Sequence, residues 1–144
     1  MSERIYVDTS LLTAYYCPER DSELVQAYLT SGIDIAISRL TETELASALS
    51  KKVRLDELKS THALKVLELF DSHVTTAFEL LPVTVADLSA ATRYIRGFDT
   101  VLRTLDAIHT AIAARENVTL ATADVRLAEA ATILGISTKL VRGE

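Results

Sequence analysis

Apolar and polar positions along this chain alternate between a period of two and a period near 3.6, and the switches between them predict its elements. Arg4–Asp8, with Ile5, Tyr6 and Val7 inside it, and the alternating, β-branched Ile33-Asp34-Ile35-Ala36-Ile37-Ser38 predict strands. Between them, Thr9–Tyr16 predicts a short helix, ended at Cys17-Pro18 because the residue before proline avoids the α region. Asp21–Thr30 predicts a second helix, stopped near Gly32. Thr41 to Arg54 carries Leu45, Leu49 and Val53 at four-residue spacing, and Asp56 to Ser72 carries Leu64, Leu67 and Phe70 on one stripe, so both predict helices. Phe78–Val83 is a short strand, and Val85, Leu88, Thr92 and Ile95 mark a helical face closed by Gly97. Leu105, Ile108 and Ile112 mark the next helix, and Val118–Ala121 a strand. Asp124–Leu134 follows as a helix with Leu127, Ala131 and Leu134 in register and Gly135 at its C-cap, and Ser137–Val141 is the last strand.

Strands separated by helices predict an α/β fold with a mainly parallel sheet covered on both faces. Right-handed crossovers then place the strand C-termini on one rim, where ligands bind in such sheets. Four acids fall at that rim: Asp8 and Asp124 each end an apolar run, and Glu44 and Asp106 each sit in the first turn of an expected helix. Each has a structural reading too. Thr41-Glu42-Thr43-Glu44 matches a capping box, Asp106 complements a helix dipole, and Asp124 suits an N-cap. Asp8 is harder to explain that way, since a carboxylate ending an apolar first strand is costly to bury without a partner.

Composition narrows the chemistry. The 144 residues suit one domain, 1–144, and a hydrophobic share of 49% excludes a disordered chain. There is no run of about 18 apolar residues for a transmembrane helix. The N-terminal Met1-Ser2-Glu3-Arg4 lacks a signal peptide's apolar stretch, so a cytoplasmic location is expected and no membrane partner. Cys17 is the lone cysteine and His62, His73 and His109 are dispersed, which excludes a disulfide and a cysteine-rich zinc site. His109, one turn after Asp106, has two readings: it faces the same rim, or, the favoured one, it is a helix residue satisfied by water or backbone. The net charge of −5 argues against coating nucleic acid by bulk electrostatics.

Carboxylates about 5 Å apart repel by roughly 3 kcal/mol per pair at an effective dielectric of 20. A cluster of them calls for a hard divalent cation, Mg²⁺ or Mn²⁺, which prefers oxygen ligands. Such a site suits phosphodiester hydrolysis, leaving a 5′-phosphate and a 3′-hydroxyl. Ser10, Thr9, Ser38 and Thr122 stand beside the acids, either to orient carboxylates or to cap helices. Lys51, Lys52, Arg96 and Arg103 are candidates for substrate contact, with a solvated helix face as the plainer reading.

Four segments, in order, resemble PIN-domain ribonucleases, specifically VapC-type toxins: Tyr6-Val7-Asp8-Thr9-Ser10-Leu11-Leu12, Ser38-Arg39-Leu40-Thr41-Glu42-Thr43-Glu44-Leu45, Leu105-Asp106-Ala107-Ile108-His109-Thr110-Ala111 and Leu120-Ala121-Thr122-Ala123-Asp124. The Leu134-Gly135-Ile136 step into the final strand fits as well. The resemblance implies a three-layer α/β/α sandwich, an Mg²⁺ or Mn²⁺ site and endoribonuclease activity. It implies Asp8, Glu44, Asp106 and Asp124 as metal-binding catalytic acids, with Ser10 and Thr122 supporting them. Glu44 is preferred over Glu42 because it directly precedes Leu45 and the helical stripe. A homodimer and a cognate antitoxin whose C-terminal segment covers the site are implied by the family alone. Two other functions compete. Phosphatases of the haloacid-dehalogenase type also place an Asp after the first strand, but need a second Asp two residues on, where this chain has Ser10. A non-catalytic module docking a basic peptide or RNA would use the same acids.

Overall fold

The computed structural model describes residues 3–143; Met1 and Ser2, part of the N-terminal segment considered above, and Glu144 lie outside it. The elements run β1 (Arg4–Val7), α1 (Thr9–Tyr16), α2 (Ser22–Leu29), β2 (Asp34–Ser38), α3 (Arg39–Arg54), α4 (Ser60–Thr76), β3 (Glu79–Leu81), α5 (Val85–Arg96), α6 (Thr104–Glu116), β4 (Thr119–Thr122), α7 (Val125–Ile133) and β5 (Thr138–Leu140). The five strands form one sheet in the order β3-β2-β1-β4-β5, and every neighbouring pair is parallel. Alternation along the strands divides the core in two. Ile5, Val7, Ile37 and Ala121 pack with residues of α1 to α4, whereas Tyr6, Ala36 and Leu120 pack with α5, α6 and α7. The expected α/β/α sandwich with a parallel sheet is therefore present.

The chain builds outward from β1 to β2 and β3, then returns to add β4 on the other side of β1. The strand order thus reverses between β1 and β4, the place at the strand C-termini where sheets of this kind bind ligands. Val7 pairs with Ala121, and the Asp8 N–H donates to the Ala121 carbonyl at 2.9 Å, which carries the pairing one residue past β1.

Several boundaries differ from the sequence expectation. α3 begins at Arg39, not Thr41, because Ser38 is the N-cap and the Thr41 hydroxyl accepts from the Ser38 N–H at 3.1 Å. The capping box is Ser38 with Thr41, so Glu44 lies in the second turn and caps nothing. α4 begins at Ser60, not Asp56, which takes a left-handed conformation (φ 57°) in the turn after α3. Its buried stripe is Ala63, Val66 and Phe70: of the expected residues Phe70 is buried and Leu67 packs partly against the core, whereas Leu64 is 61% exposed. On α5 most of the expected apolar face points outward: Val85 is 80% and Leu88 48% exposed, while Asp87 and Ala91 are buried and Ile95 alone of that face packs against the core. A partly buried salt bridge accompanies this rotation. Asp87 Oδ1 accepts from Arg115 Nε of α6 at 2.9 Å, and Asp87 Oδ2 accepts from the Thr84 N–H at 2.8 Å in a capping box. Gly97 ends α5 with ordinary right-handed geometry, and the left-handed residue is Phe98 (φ 59°). Gly135, by contrast, takes φ 80° just past α7, and the Ile136 N–H closes the turn on the Ala131 carbonyl at 2.9 Å.

Candidate active site

Each candidate acid is set at the rim by a different element. Asp8 follows β1 and is the N-cap of α1, Glu44 projects from α3, Asp106 sits in the first turn of α6, and Asp124 follows β4 as the N-cap of α7. Hydroxyls lock the first and last of these together. Asp8 Oδ2 accepts from Ser10 Oγ at 2.7 Å and from Thr122 Oγ1 at 2.9 Å. Ser10 Oγ accepts from the Ala123 N–H, and Thr122 Oγ1 from the Asp124 N–H. The same two side chains therefore hold both the Asp8 carboxylate and the backbone that presents Asp124. Asp124 Oδ1 caps α7 by accepting from the N–H groups of Arg126 and Leu127, as its capping reading anticipated. Thr9 Oγ1 donates to Glu44 Oε1 at 2.9 Å.

His109 departs from expectation. It is fully buried and satisfied by side chains rather than by water or backbone: Nδ1 meets the Tyr6 hydroxyl at 2.6 Å and Nε2 bonds Glu44 Oε1. Nε2 also lies 3.9 Å from Asp8 Oδ1. Ser38 orients no carboxylate, since its hydroxyl oxygen accepts from Tyr6 at 2.8 Å. Tyr6 was missed as a site residue. Its one signal was chemical, because a phenol in a fully buried strand needs a partner for its O–H.

Electrostatics separate the acids. Burial, then the charges of Asp8 and Asp124, push Asp106 up to about 6, against an opposing pull from His109. Burial also works against Glu44, but the hydrogen bond and charge of His109 and the Thr9 hydroxyl outweigh it and hold that carboxyl below its usual range. Burial lowers His109 in turn, while Glu44, Asp8 and Asp106 raise it, with a net upward result.

Among the described residues, hydrogen bonds to Asp8 fall on Oδ2, those to Glu44 on Oε1 and those to Asp124 on Oδ1, while none reaches the Asp106 carboxylate. Each acid thus keeps at least one oxygen outside the network. No three carboxylate, imidazole or thiolate groups among the described residues converge into a ready coordination shell. Mg²⁺ keeps several waters and takes only one or two carboxylates, so the donor chemistry fits such an ion without a closed protein cage.

The basic candidates separate by position. Arg103 immediately precedes α6, and Arg96 lines a shallow depression with Thr104 and Ile108, so both lie near the Asp106 end of α6. Lys51 and Lys52 lie in the last turn of α3, about 10–12 Å beyond Glu44 at 1.5 Å per residue. Lys52 is paired with Glu19 at 3.0 Å.

The sequence matches the PIN domain over residues 5–133, most of its length, and the chain belongs to that family. No curated protein sequence matches it. Solved structures do. FitAcB from Neisseria gonorrhoeae superposes with a TM-score of 0.74 at 21% identity, covering 93% of this chain and 95% of that one. VapC20 from Mycobacterium tuberculosis, described as a sarcin–ricin loop cleaving toxin, gives 0.69 at 15% identity over 96% and 99%. A toxin–antitoxin complex from Klebsiella pneumoniae gives 0.63 at 17% over 85% and 88%. At these identities the likeness is one of fold. Among the described residues no helix is long and apolar enough to cross a membrane.

Proposed function

We propose that this PIN chain is a divalent-metal-dependent endoribonuclease of the VapC toxin type, acting through Asp8, Glu44, Asp106 and Asp124. The observation that carries this reading is the pattern of free oxygens. Four carboxylates are held at the rim by separate elements, three of them fixed through one oxygen only, and burial, then the charges of Asp8 and Asp124, holds Asp106 above its usual range. A cluster held together purely for structure would turn both oxygens inward or exchange acids for amides.

A bound Mg²⁺ or Mn²⁺ supplies the Lewis acidity that phosphodiester hydrolysis needs. The protein supplies placement. Ser10 and Thr122 hold Asp8 through Oδ2 and leave Oδ1 outside their hydrogen bonds, and the α7 cap engages Asp124 through Oδ1 and leaves Oδ2 over. Asp106, poised near neutrality, holds a proton in acid and releases it as the pH rises past about 6. Arg96 and Arg103, near the Asp106 end of α6, are the candidates to receive RNA phosphates.

VapC20 is described as a toxin and the Klebsiella structure as a toxin–antitoxin complex, which supports a cognate antitoxin as this chain's partner. An open groove of about 670 Å³, lined by Tyr15 and Tyr16 of α1, Glu23 of α2 and Lys65, Val66 and Leu69 of α4, offers such a segment a seat that is part aromatic and part charged. For a homodimer, the exposed Phe98, Val101 and Ile133, which line one depression, offer an apolar surface of the kind that marks interaction sites.

The test is cleavage of a mixed pool of structured RNAs by antitoxin-free protein, with Mg²⁺, Mn²⁺ or EDTA. Discrete products that need metal and vanish in Asp8→Asn and Asp106→Asn are expected. Cleavage retained by both variants refutes the reading, and metal binding with no cleavage of any RNA favours a non-catalytic docking module.

A further inference from the structure

Tyr6 and His109 are fully buried polar rings between β1 and α6, where leucine or phenylalanine would fill the space without polar atoms to satisfy. They belong to one hydrogen-bonded chain. It runs from Ser38 at the end of β2, through Tyr6 on β1 and His109 on α6, to Glu44 on α3, where Thr9 joins. No buried side-chain nitrogen or oxygen among the described residues lacks a partner.

Proton bookkeeping gives the chain a direction. Ionised Glu44 is an acceptor only, so His109 Nε2 carries a hydrogen. At its other nitrogen, Nδ1, the ring meets the Tyr6 hydroxyl, which itself donates to Ser38 Oγ at 2.8 Å. Both donors to Glu44 converge on Oε1, so the chain fixes which carboxylate oxygen is occupied and which is left over. Four elements besides α3 take part, β1, β2, α1 and α6, which makes the orientation of Glu44 a property of the packed fold rather than of α3 alone.

Resting on the metal-site reading above, we infer that Tyr6 and His109 are positioning residues: they pin Glu44 Oε1 and thereby aim Oε2 at the bound cation. The imidazole stays out of the coordination shell and acts through the carboxylate. Partners of this kind are worth about 10–100-fold in metal affinity.

The experiment is Mn²⁺ titration of the full chain, alongside thermal melts in EDTA, for the unaltered protein, Tyr6→Phe, His109→Gln and His109→Leu. Glutamine retains an N–H donor near the Nε2 position and leucine does not. Mn²⁺ affinity is expected to fall about 10–100-fold in His109→Leu and Tyr6→Phe, and to recover most of that loss in His109→Gln. A purely structural role would move melting temperature in all three variants and leave affinity in the folded protein unchanged. Unaltered affinity in folded His109→Leu, or equal loss in the glutamine and leucine variants, overturns the inference. Failure of the unaltered chain to bind Mn²⁺ overturns the metal-site reading, and this inference with it.

Discussion

Asp106→Asn should make the metal-free protein more stable above neutrality, although it removes a candidate catalytic acid. The carboxyl is raised from 3.8 to about 6, first by burial and then by Asp8 and Asp124, so ionising it in the fold costs about 3 kcal/mol at 1.36 kcal/mol per pH unit. Asp106 is only partly buried, and water screens about half of that. The charge also gains about 0.5 kcal/mol from the α6 dipole, which asparagine forgoes. The net gain is about 1 kcal/mol, or roughly 2–4 °C in melting temperature for a domain of this size. The sign with pH follows from a raised folded-state value. Asp106 contributes stability when protonated in the fold, fully present below about 4 and lost as the pH rises through about 6. The advantage of the variant should therefore be absent near pH 4, grow between 4 and 6, and level off by pH 8. Calorimetry in EDTA across that range measures it. Millimolar Mn²⁺ should then raise the unaltered protein by more than the variant, narrowing or reversing the gap. A variant destabilised at pH 8, or one whose advantage is the same at pH 4 and pH 8, would refute the claim that Asp106 is ionised against its neighbours.

Asp87→Ala should lower stability by about 3 kcal/mol, from the loss of the Arg115 pair and the α5 capping box together, roughly 6–12 °C by thermal melt. Burial opposes ionisation of Asp87, but Arg115 and Thr84 prevail and hold it low; its contribution is present above about pH 4 and lost in acid as it protonates, so the variant's acid-unfolding curve should be flatter. Phe98→Gly should relieve a left-handed residue by about 1 kcal/mol while removing a ring that is 89% exposed. In light scattering with the protein in dilution, the glycine variant should dissociate at higher concentration than the unaltered chain if that apolar surface is the dimer face, and an unchanged dimer would exclude Phe98 from it.

How far the sequence could be read depends on whether a signal was local. Asp8 and Asp124 were visible because each ends an apolar run, and a parallel sheet forces such ends onto one rim. Thr9, Ser10 and Thr122 followed from their closeness in sequence to those acids. Glu44 was visible for a misleading reason. Thr41-Glu42-Thr43-Glu44 imitates a capping box, while the real one begins three residues earlier at Ser38, so the competing structural account of Glu44 rested on a helix start that does not exist. The mostly outward apolar face of α5 was illegible for a related reason. Periodicity reports where apolar residues lie on a helix but not which way the helix turns, and here the buried side carries Asp87, paired with Arg115 of α6.

The Tyr6–His109–Glu44 chain was the hardest part to foresee, and its position explains why. Its members are separated by 103 and 65 residues, and they meet only because β4 returns beside β1 and carries α6 against the Tyr6 face of the sheet. Asp106 and His109 share one face of α6, so the helix that delivers a candidate metal acid to the rim also delivers the group that fixes another acid from α3. Displacing α6 would therefore disturb Asp106 and Glu44 together. The exposed residues Phe98, Val101 and Leu105 lie in the segment that leads into α6 and in its first turn, so an association there would bear directly on the element that orders half of the candidate site.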